Sequence, residues 1–355
     1  MSLLERLKTE IAVGGPISVA DYMTRCLHDP TFGYYATRPA LGEDGDFITA
    51  PLVSQMFGEL IGLWAVETWR RLGAPARLLL VEAGPGDGTL MSDALRAAAR
   101  APDFLAAAEL WLIDTSRPLI TDQKAALAGA PLEPRWTPSL SDLPRDAPVV
   151  LIANELLDCL PARQLVRDPD GWAERQVGLD AHGELAFGLA RVLDRRNEAD
   201  DRIGQVTEIS AAQQTFGTQL GELVARQGGA ALVIDYGRDE PGFGDTLQAL
   251  KGHETVDPLA CPGEADLTVH VDFPAVLAAA WRAEASTALL TQGEFLRRLG
   301  IEQRAAALKS SRPDQAARIG RQLDRLIGDD KMGLLFKAAC IHSAGLNPPG
   351  FEDAA

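Results

Sequence analysis

Short apolar runs alternate with helical patterns in the chain from residue 77 onward. Each run is followed by a carboxylate or carboxamide side chain: residues 78–81 precede Glu82, 110–113 precede Asp114, 149–153 precede Asn154, and 232–234 precede Asp235. Apolar runs that alternate with helices favour a parallel sheet covered by helices on both faces. The sequence therefore predicts an α/β fold with a doubly wound, mostly parallel sheet.

Other segments depart from this alternation. Residues 1–75 have helical periodicity and predict an N-terminal helical region that packs on a core formed by residues 76–345. Within that core, residues 163–190 alternate polar and apolar positions around turn signals, which predicts an antiparallel insertion. A helical insertion is expected at about 301–328, and residues 346–355 are expected to form a tail. We therefore expect one enlarged core rather than two independent domains.

The net charge limits the classes of partner. The chain of 355 residues has 34 basic and 50 acidic residues, so its formal charge is −16. Nucleic acids and anionic membranes are bound through clustered lysine and arginine, so neither is expected as the main partner. The negative charge is compatible with neutral and cationic substrates.

Cysteine and histidine usage argues against a metal centre. The four cysteines lie far apart without a CxxC pair, and no HExxH motif is present, so we expect no metal site and no disulfide framework. Reduced thiols indicate a reducing compartment. No apolar run approaches the roughly 18 residues of a membrane span. The first residues include Glu5 and Glu10, unlike a signal or transit peptide, so a cytoplasmic location is expected.

A glycine-rich segment follows the first apolar run and precedes a helical pattern. It has the form ExGxGxG, from Glu82 to Gly88. A dinucleotide fingerprint would need a glycine at Thr89. An acid before the loop repels a diphosphate but suits a cofactor that carries an amino group. The loop therefore fits S-adenosylmethionine better than NAD, although a glycine turn of this kind also occurs as plain structure. The predicted cofactor-binding residues here are Glu82, Gly84, Pro85, Gly86, Gly88, Asp114 and Thr115.

The acids that follow the strands are candidates for chemistry. Ligands of open parallel sheets bind beyond the carboxyl ends of the strands. If the methyl acceptor were a guanidinium, with a pKa above about 12, carboxylates would have to orient it and help it lose a proton. Glu155 and Asp158 are the catalytic candidates, with Asn154 as an orienting amide. Candidate substrate-binding residues are Glu208, Asp235 and Tyr236. Helix capping or a surface ion pair is the alternative role for each acid.

Ordered segments along nearly the whole chain resemble the MidA-type family, the bacterial relatives of the mitochondrial complex I assembly factor with protein arginine methyltransferase activity. The segments include GPISVADYM at Gly15, HDPTFGYYA at His28, GDFITAP at Gly45, SQMFGELIGLW at Ser54, VEAGPGDGTLM at Val81, LIANELLDCLPAR at Leu151, VIDYG at Val233, GDTLQAL at Gly244, PGEADLTVHVDF at Pro262, TQGEFL at Thr291 and MGLLFKA at Met332. The resemblance implies a seven-stranded class I methyltransferase sheet, which is Rossmann-like, with S-adenosyl-L-methionine at the glycine loop.

The resemblance also implies further site residues and a substrate. It places the GDFxTAP segment beside the cofactor, which adds Gly45, Asp46, Phe47, Thr49 and Pro51 to the predicted cofactor-binding residues. For mitochondrial members it implies symmetric dimethylation of an arginine on the 49-kDa-type subunit of complex I. The chain departs from the usual family pattern at two positions. Asp114 stands where the family usually has glutamate, and Asp87 stands where arginine or threonine is frequent.

The leading hypothesis is a protein arginine methyltransferase that acts on a complex I subunit. One alternative keeps the cofactor and changes the acceptor. Another is an assembly chaperone or binding protein of the same fold that transfers no methyl group. A second copy of the chain is also a candidate partner, because residues 163–190 could expose a strand edge.

Overall fold

A computed structural model of the chain describes residues 2–37, 49–192 and 202–352. The helices are α1 (Leu3–Gly14), α2 (Val19–His28), α3 (Tyr34–Thr37), α4 (Ala50–Val53), α5 (Gln55–Arg71), α6 (Thr89–Ala98), α7 (Pro102–Ala107), α8 (Arg117–Ala126), α9 (Ala211–Gln227), α10 (Phe273–Arg282), α11 (Gln292–Arg298), α12 (Ile301–Ser311), α13 (Ala316–Ile327) and α14 (Met332–Leu335). Short 3₁₀ turns occupy Leu140–Asp142 and Pro313–Gln315.

The strands follow the same chain order. They are β1 (Ile17–Ser18), β2 (Leu78–Ala83), β3 (Ala108–Ile113), β4 (Arg135–Thr137), β5 (Val149–Asn154), β6 (Arg163–Asp168), β7 (Gly171–Leu179), β8 (Leu185–Arg191), β9 (Val206–Ile209), β10 (Gly229–Arg238), β11 (Gln248–Lys251), β12 (Glu254–Val256), β13 (Asp266–Thr268), β14 (Val271–Asp272), β15 (Ser286–Thr291) and β16 (Phe336–His342).

Packing contacts divide the chain into two units. The core unit comprises Ile48–Leu156, Gln214–Asp239 and Phe273–Ala355, and the accessory unit comprises Met1–Phe47, Leu157–Gln213 and Glu240–Asp272. This division differs from the boundary expected at residue 75. Helices α1 and α2 pack on β7 of the accessory unit, whereas α5 packs on α6 and β5 of the core unit. The helical character of the first 75 residues did not indicate that their two halves bury their apolar faces against different sheets.

Seven strands of the core unit form a sheet in the order β15-β16-β10-β5-β2-β3-β4. Neighbouring strands from β10 to β4 are parallel, and β16 is antiparallel to both β10 and β15. Every residue of β2 and β5 is buried, as expected for central strands with helices on both faces. The expected α/β fold with a mostly parallel, seven-stranded sheet is therefore confirmed.

Helices α5 and α6 pack closely because glycines of α5 face α6. A Cβ atom built on Gly62 would lie 2.6 Å from the Cα of Ala94, which is closer than any real packing contact. Trp64 and Phe57 of α5 are fully buried in the same hydrophobic cluster as Leu80 of β2. Close contact between these helices therefore buries large apolar side chains of α5 against the sheet.

The accessory unit is built on antiparallel strands. Strand β7 pairs with β6 and β8, β6 also pairs with β9, and β11 pairs with both β12 and β13. Residues 163–190, where an antiparallel insertion was expected, contain β6, β7 and most of β8. The unit has its own hydrophobic cluster, which includes Leu7, Tyr22 and Val177.

Neither a membrane-spanning helix nor a cluster of metal ligands is found among the described residues. No helix in residues 2–37, 49–192 or 202–352 combines the length and the hydropathy that crossing a bilayer requires. Within the same ranges, no group of three or more histidine, cysteine, aspartate or glutamate side chains is arranged to hold a metal ion. All four cysteines are free thiols.

Replacing Gly62 with alanine should destabilise the core unit. The added methyl group would overlap the backbone of Ala94, and overpacking of this kind costs about 1–3 kcal/mol. Urea unfolding followed by circular dichroism measures the change. Gly320→Ala in α13 is the matched control, since its Cβ would meet only the flexible end of Lys309. We expect the control to be neutral or stabilising by up to about 1 kcal/mol. Equal stability of the two variants would contradict the packing argument.

Candidate active site

The glycine loop joins β2 to α6. Gly84, Gly86 and Gly88 all have positive φ, at 67°, 55° and 87°, which side chains other than glycine rarely adopt. A Cβ on Gly84 would lie 2.8 Å from Leu156 Cδ1, and one on Gly88 would lie 3.2 Å from the Cα of Gln123. The sequence therefore needs glycine here both for conformation and for close contact. The resulting turn leaves backbone N–H groups at the start of α6, where a ligand can approach them.

Glu82 places a carboxylate beneath this loop. The side chain is only 2% exposed, and no hydrogen-bond donor among the described residues reaches its Oε2 atom. Burial raises the pKa of this carboxyl well above its usual range, and the nearby charges of Asp87 and Asp114 raise it further. A buried, unsatisfied carboxylate is costly unless a cation or donor joins it. Glu82 is therefore suited to a ligand that carries a positively charged amino group.

Asp114 follows β3, the neighbour of β2. Its Oδ1 accepts a hydrogen bond from the backbone N–H of Ser116 (2.8 Å), and its Oδ2 accepts one from Gln123 Nε2 (2.6 Å). Burial raises the pKa of the carboxyl, while hydrogen bonds from Ser116 and Gln123 act in the opposite direction. A carboxylate held in this way still has lone pairs for neighbouring hydroxyl groups, such as those of a ribose.

Asn154 and Glu155 form the rim at the end of β5. Glu155 has φ at 50°, an unfavourable conformation for a residue with a Cβ. Its Oε1 accepts hydrogen bonds from the backbone N–H of Ala50 (2.9 Å) and from Asn154 Nδ2 (3.1 Å). Asn154 is 8% exposed, and its Oδ1 has no donor among the described residues. The rim therefore offers a buried amide oxygen as an acceptor, and Glu155 connects it to the start of α4.

The structure locates the other predicted site residues as follows. Pro85 is buried within the glycine loop, Thr115 is exposed beside Asp114, and Thr49 and Pro51 are buried at the start of α4. Asp235 is fully buried in β10 and accepts a hydrogen bond from the backbone N–H of the half-exposed Tyr236. Gly45, Asp46 and Phe47 lie outside the described residues.

Two predicted acids belong to the accessory unit. Glu208 is buried and accepts hydrogen bonds from Gln164 Nε2 (2.8 Å), from the backbone N–H of Thr246 (3.0 Å) and from the Thr246 hydroxyl. These contacts connect β9 to β6 and to the segment before β11, so they give Glu208 a structural role within that unit. Asp158 is also buried there, and its backbone carbonyl accepts a hydrogen bond from Val269.

Gln123 is a site residue that the sequence did not reveal. Its amide contacts Asp114 and the carbonyl of Gly86, and its oxygen accepts from Trp136 Nε1. A polar residue within a helical pattern gives no indication of burial, and Trp136 comes from a short strand that the hydrophobic pattern did not mark. Only the tertiary contacts bring these residues to the loop.

The strand order and the loop together define the class of protein. The glycine loop follows β2, and the strands on either side of β2 are reached in opposite directions along the sheet, which is where open α/β sheets bind ligands. A seven-stranded sheet with an antiparallel strand next to one edge, an ExGxGxG loop and a carboxylate after the next strand is the architecture of a class I S-adenosylmethionine-dependent methyltransferase. The unsatisfied oxygen of Glu82 fits the amino group of that cofactor.

Comparisons with known proteins give the family. The chain belongs to a family of S-adenosyl-L-methionine-dependent methyltransferases, whose model matches residues 60–291. It is 35% identical to the mitochondrial protein arginine methyltransferase NDUFAF7 of Danio rerio over 95% of this chain and 86% of that protein. The corresponding human protein is 34% identical over 94% of this chain and 82% of its own length.

Solved structures agree with this assignment. A protein from Burkholderia thailandensis bound to S-adenosyl-homocysteine has a TM-score of 0.87 and 29% identity, and the match covers 99% of this chain and 95% of that one. A native crystal structure from the same organism gives a TM-score of 0.85 and 28% identity, covering 99% of this chain and 94% of that one. The chain is thus a methyltransferase that uses S-adenosyl-L-methionine. The cofactor supplies an electrophilic methyl group on a sulfonium.

The affinity for S-adenosylhomocysteine should rise with pH through Glu82. The pKa of this carboxyl is raised in the free protein, and an ammonium group beside it favours the ionised form, so binding releases a proton. The affinity should therefore increase as the pH rises from the usual range of a glutamate carboxyl toward neutrality, where the ligand amino group stays protonated. Calorimetry in two buffers of different ionisation enthalpy measures both affinity and proton release.

Two comparisons control this experiment. Glu82→Gln removes the titrating group, so its affinity should be lower and should lose the rise with pH. Adenosine lacks the amino acid part of the cofactor, so its affinity for the unmodified protein should vary little over the same range. A rise with pH that persists in the Glu82→Gln variant would assign the proton to another group.

Proposed function

We propose that this methyltransferase modifies arginine side chains of a protein, with a 49-kDa-type subunit of respiratory complex I as its substrate and symmetric dimethylarginine as its product. The observation that carries the proposal is the identity of about a third, over nearly the whole chain, to relatives named protein arginine methyltransferase. The net charge of −16 also favours a cationic acceptor over an anionic one.

The rim at the end of β5 supports an arginine acceptor. A guanidinium has five N–H donors and no acceptor, so it needs oxygens that are not already satisfied. Asn154 Oδ1 is a buried acceptor without a donor among the described residues, and the carboxylate of Glu155 lies beside it. In this proposal Asn154 orients the guanidinium, and Glu155 favours loss of its proton. Asp158 stays a predicted catalytic residue.

The proposed reaction is a direct displacement. A guanidinium nitrogen forms a bond to the methyl carbon while the bond between that carbon and sulfur breaks, so the sulfonium becomes a thioether. One proton leaves the guanidinium nitrogen, so the methylated guanidinium carries a single positive charge. Orienting the acceptor in line with the breaking bond is the main task of the protein.

The proposal includes a cytoplasmic location and a protein as the partner, with no nucleic acid and no membrane insertion. Free thiols at all four cysteines are compatible with a reducing compartment. Asp235 and Tyr236 remain proposed substrate-binding residues, and so does Glu208 in addition to the contacts that it makes within the accessory unit. A second copy of the chain remains a proposed partner through β8, whose side chains Phe187 and Leu189 are exposed.

Mass spectrometry of complex I tests the proposed substrate. Complex I purified from cells that lack this gene should have lost dimethylarginine from the 49-kDa-type subunit, and adding back the gene should restore it. Identical arginine methylation with and without the gene would exclude this substrate. If the purified protein binds S-adenosylmethionine tightly yet forms no S-adenosylhomocysteine with any extract protein, the assembly chaperone is the better hypothesis.

Replacing Glu155 with glutamine tests the proposed catalytic rim. Glutamine keeps an oxygen for the Ala50 N–H but removes the charge that favours proton loss, so turnover should fall by about 10²- to 10⁴-fold. Calorimetry with S-adenosylhomocysteine should give an affinity close to that of the unmodified protein. Glu133→Gln, at an exposed position of the core unit, is the matched control and should leave both values unchanged. Full turnover in Glu155→Gln would remove Glu155 from the mechanism.

A further inference from the structure

The side chain of Gln123 connects three parts of the cofactor site. Gln123 lies on α8 and is completely buried. Its Nε2 donates to the carbonyl of Gly86 (2.8 Å) and to Asp114 Oδ2 (2.6 Å), and its Oε1 accepts from Trp136 Nε1 (2.8 Å). One amide therefore contacts the glycine loop, the acid after β3 and the indole on β4.

The neighbours of Gln123 fix the orientation of its amide. An indole N–H can only donate, and a backbone carbonyl can only accept. With the amide reversed, its NH₂ group would face the N–H of Trp136, and its oxygen would face two acceptors. Lys124 also contacts the indole, with its Nζ over the Trp136 ring at 5.3 Å from the ring centre. The amide donors therefore point toward Gly86 and Asp114.

The backbone of α8 also contacts the loop. A Cβ on Gly88 would lie 3.2 Å from the Cα of Gln123 and 3.2 Å from the Cβ of Ala126. The glycine loop is thus packed directly on the turn of α8 that carries Gln123. Displacement of this side chain would affect the loop and Asp114 together.

The hydrogen bonds to Asp114 leave both carboxylate oxygens usable. The backbone N–H of Ser116, at the N-cap of α8, donates to Oδ1, and Gln123 within α8 donates to Oδ2. An ionised carboxylate has about four lone-pair sites. The remaining lone pairs of the two oxygens can accept two neighbouring hydroxyl groups at once, provided that the carboxylate plane does not rotate.

We propose that Gln123 is a positioning residue for ribose recognition, which fixes the plane of the Asp114 carboxylate so that both hydroxyls of the cofactor ribose are bound. Trp136 acts one step further away by fixing the amide of Gln123. The proposal rests on the use of S-adenosylmethionine and does not depend on the methyl acceptor. It predicts that loss of Gln123 lowers the affinity for ligands by weakening the contacts of their ribose hydroxyls.

Calorimetry with the full chain tests this role. The ligands are S-adenosylhomocysteine, adenosine and 2′-deoxyadenosine, and the variant is Gln123→Leu, which has a similar volume without donors. We expect the affinity for S-adenosylhomocysteine to fall by about 10- to 100-fold, as for loss of a hydrogen bond to a charged group. The preference for adenosine over 2′-deoxyadenosine should fall toward one in the variant.

A structural role alone would give a different result. If Gln123 only stabilised the fold, the affinities for adenosine and 2′-deoxyadenosine would fall by the same factor. An unchanged ratio of the two affinities would therefore overturn the proposal. Gln292→Leu is the matched control, because Gln292 is also fully buried in the core unit and donates to a backbone carbonyl, that of Leu326. The ratio of the affinities for adenosine and 2′-deoxyadenosine should be the same in Gln292→Leu as in the unmodified protein.

A second variant keeps the test decisive if Gln123→Leu does not fold. Trp136→Phe removes the N–H that orients the amide and keeps an aromatic ring under Lys124. We expect its preference for adenosine over 2′-deoxyadenosine to lie below that of the unmodified protein. An unchanged ratio in Trp136→Phe, measured on protein with an unaltered circular dichroism spectrum, would contradict the proposed chain of contacts.

Discussion

A carboxylate buried at the end of the central strand is the constraint on which the site depends. Glu82 lies among fully buried strands, where burial and the charges of Asp87 and Asp114 oppose its ionisation. In the absence of ligand, the folded protein would be more stable with an apolar residue at this position. The unsatisfied oxygen is therefore best understood as part of a binding site for a cation, and the neighbouring loop of positive-φ glycines lets a ligand come close enough to use it.

The site is held by contacts between elements that are distant in the sequence. Gln123 connects α8 to the glycine loop, and Glu155 connects the end of β5 to the start of α4. Glu155 adopts a backbone conformation that costs about 1–2 kcal/mol for a residue with a Cβ. Its hydrogen bonds to Ala50 and Asn154 favour that conformation. These contacts connect the parts of the cofactor site, whereas the strands of the sheet themselves only place the acids at their ends.

The acids predicted from the strand ends have different environments in the structure. Glu82, Asp114 and Glu155 belong to the core unit, at or beside the glycine loop and the rim of β5. Glu208 accepts three hydrogen bonds inside the accessory unit and serves its packing there. Other acidic residues form ordinary surface ion pairs, such as Glu67 with Arg71 and Glu109 with Arg135, so the overall charge of −16 says less about the site than the few buried carboxylates do.

The parallel sheet, the glycine loop and the acids that follow the strands could be predicted from the sequence, because each depends on residues that are adjacent in the chain. The period of an apolar run and the spacing of three glycines are local properties. The sequence did not indicate that residues 1–75 divide between two units, or that Gln123 and Trp136 complete the cofactor site. Those features depend on which surfaces pack against each other. A polar side chain in a helical pattern does not indicate which distant residue will form its hydrogen bonds. These features became visible in the folded chain alone, since hydrogen bonds between distant elements form when the elements pack.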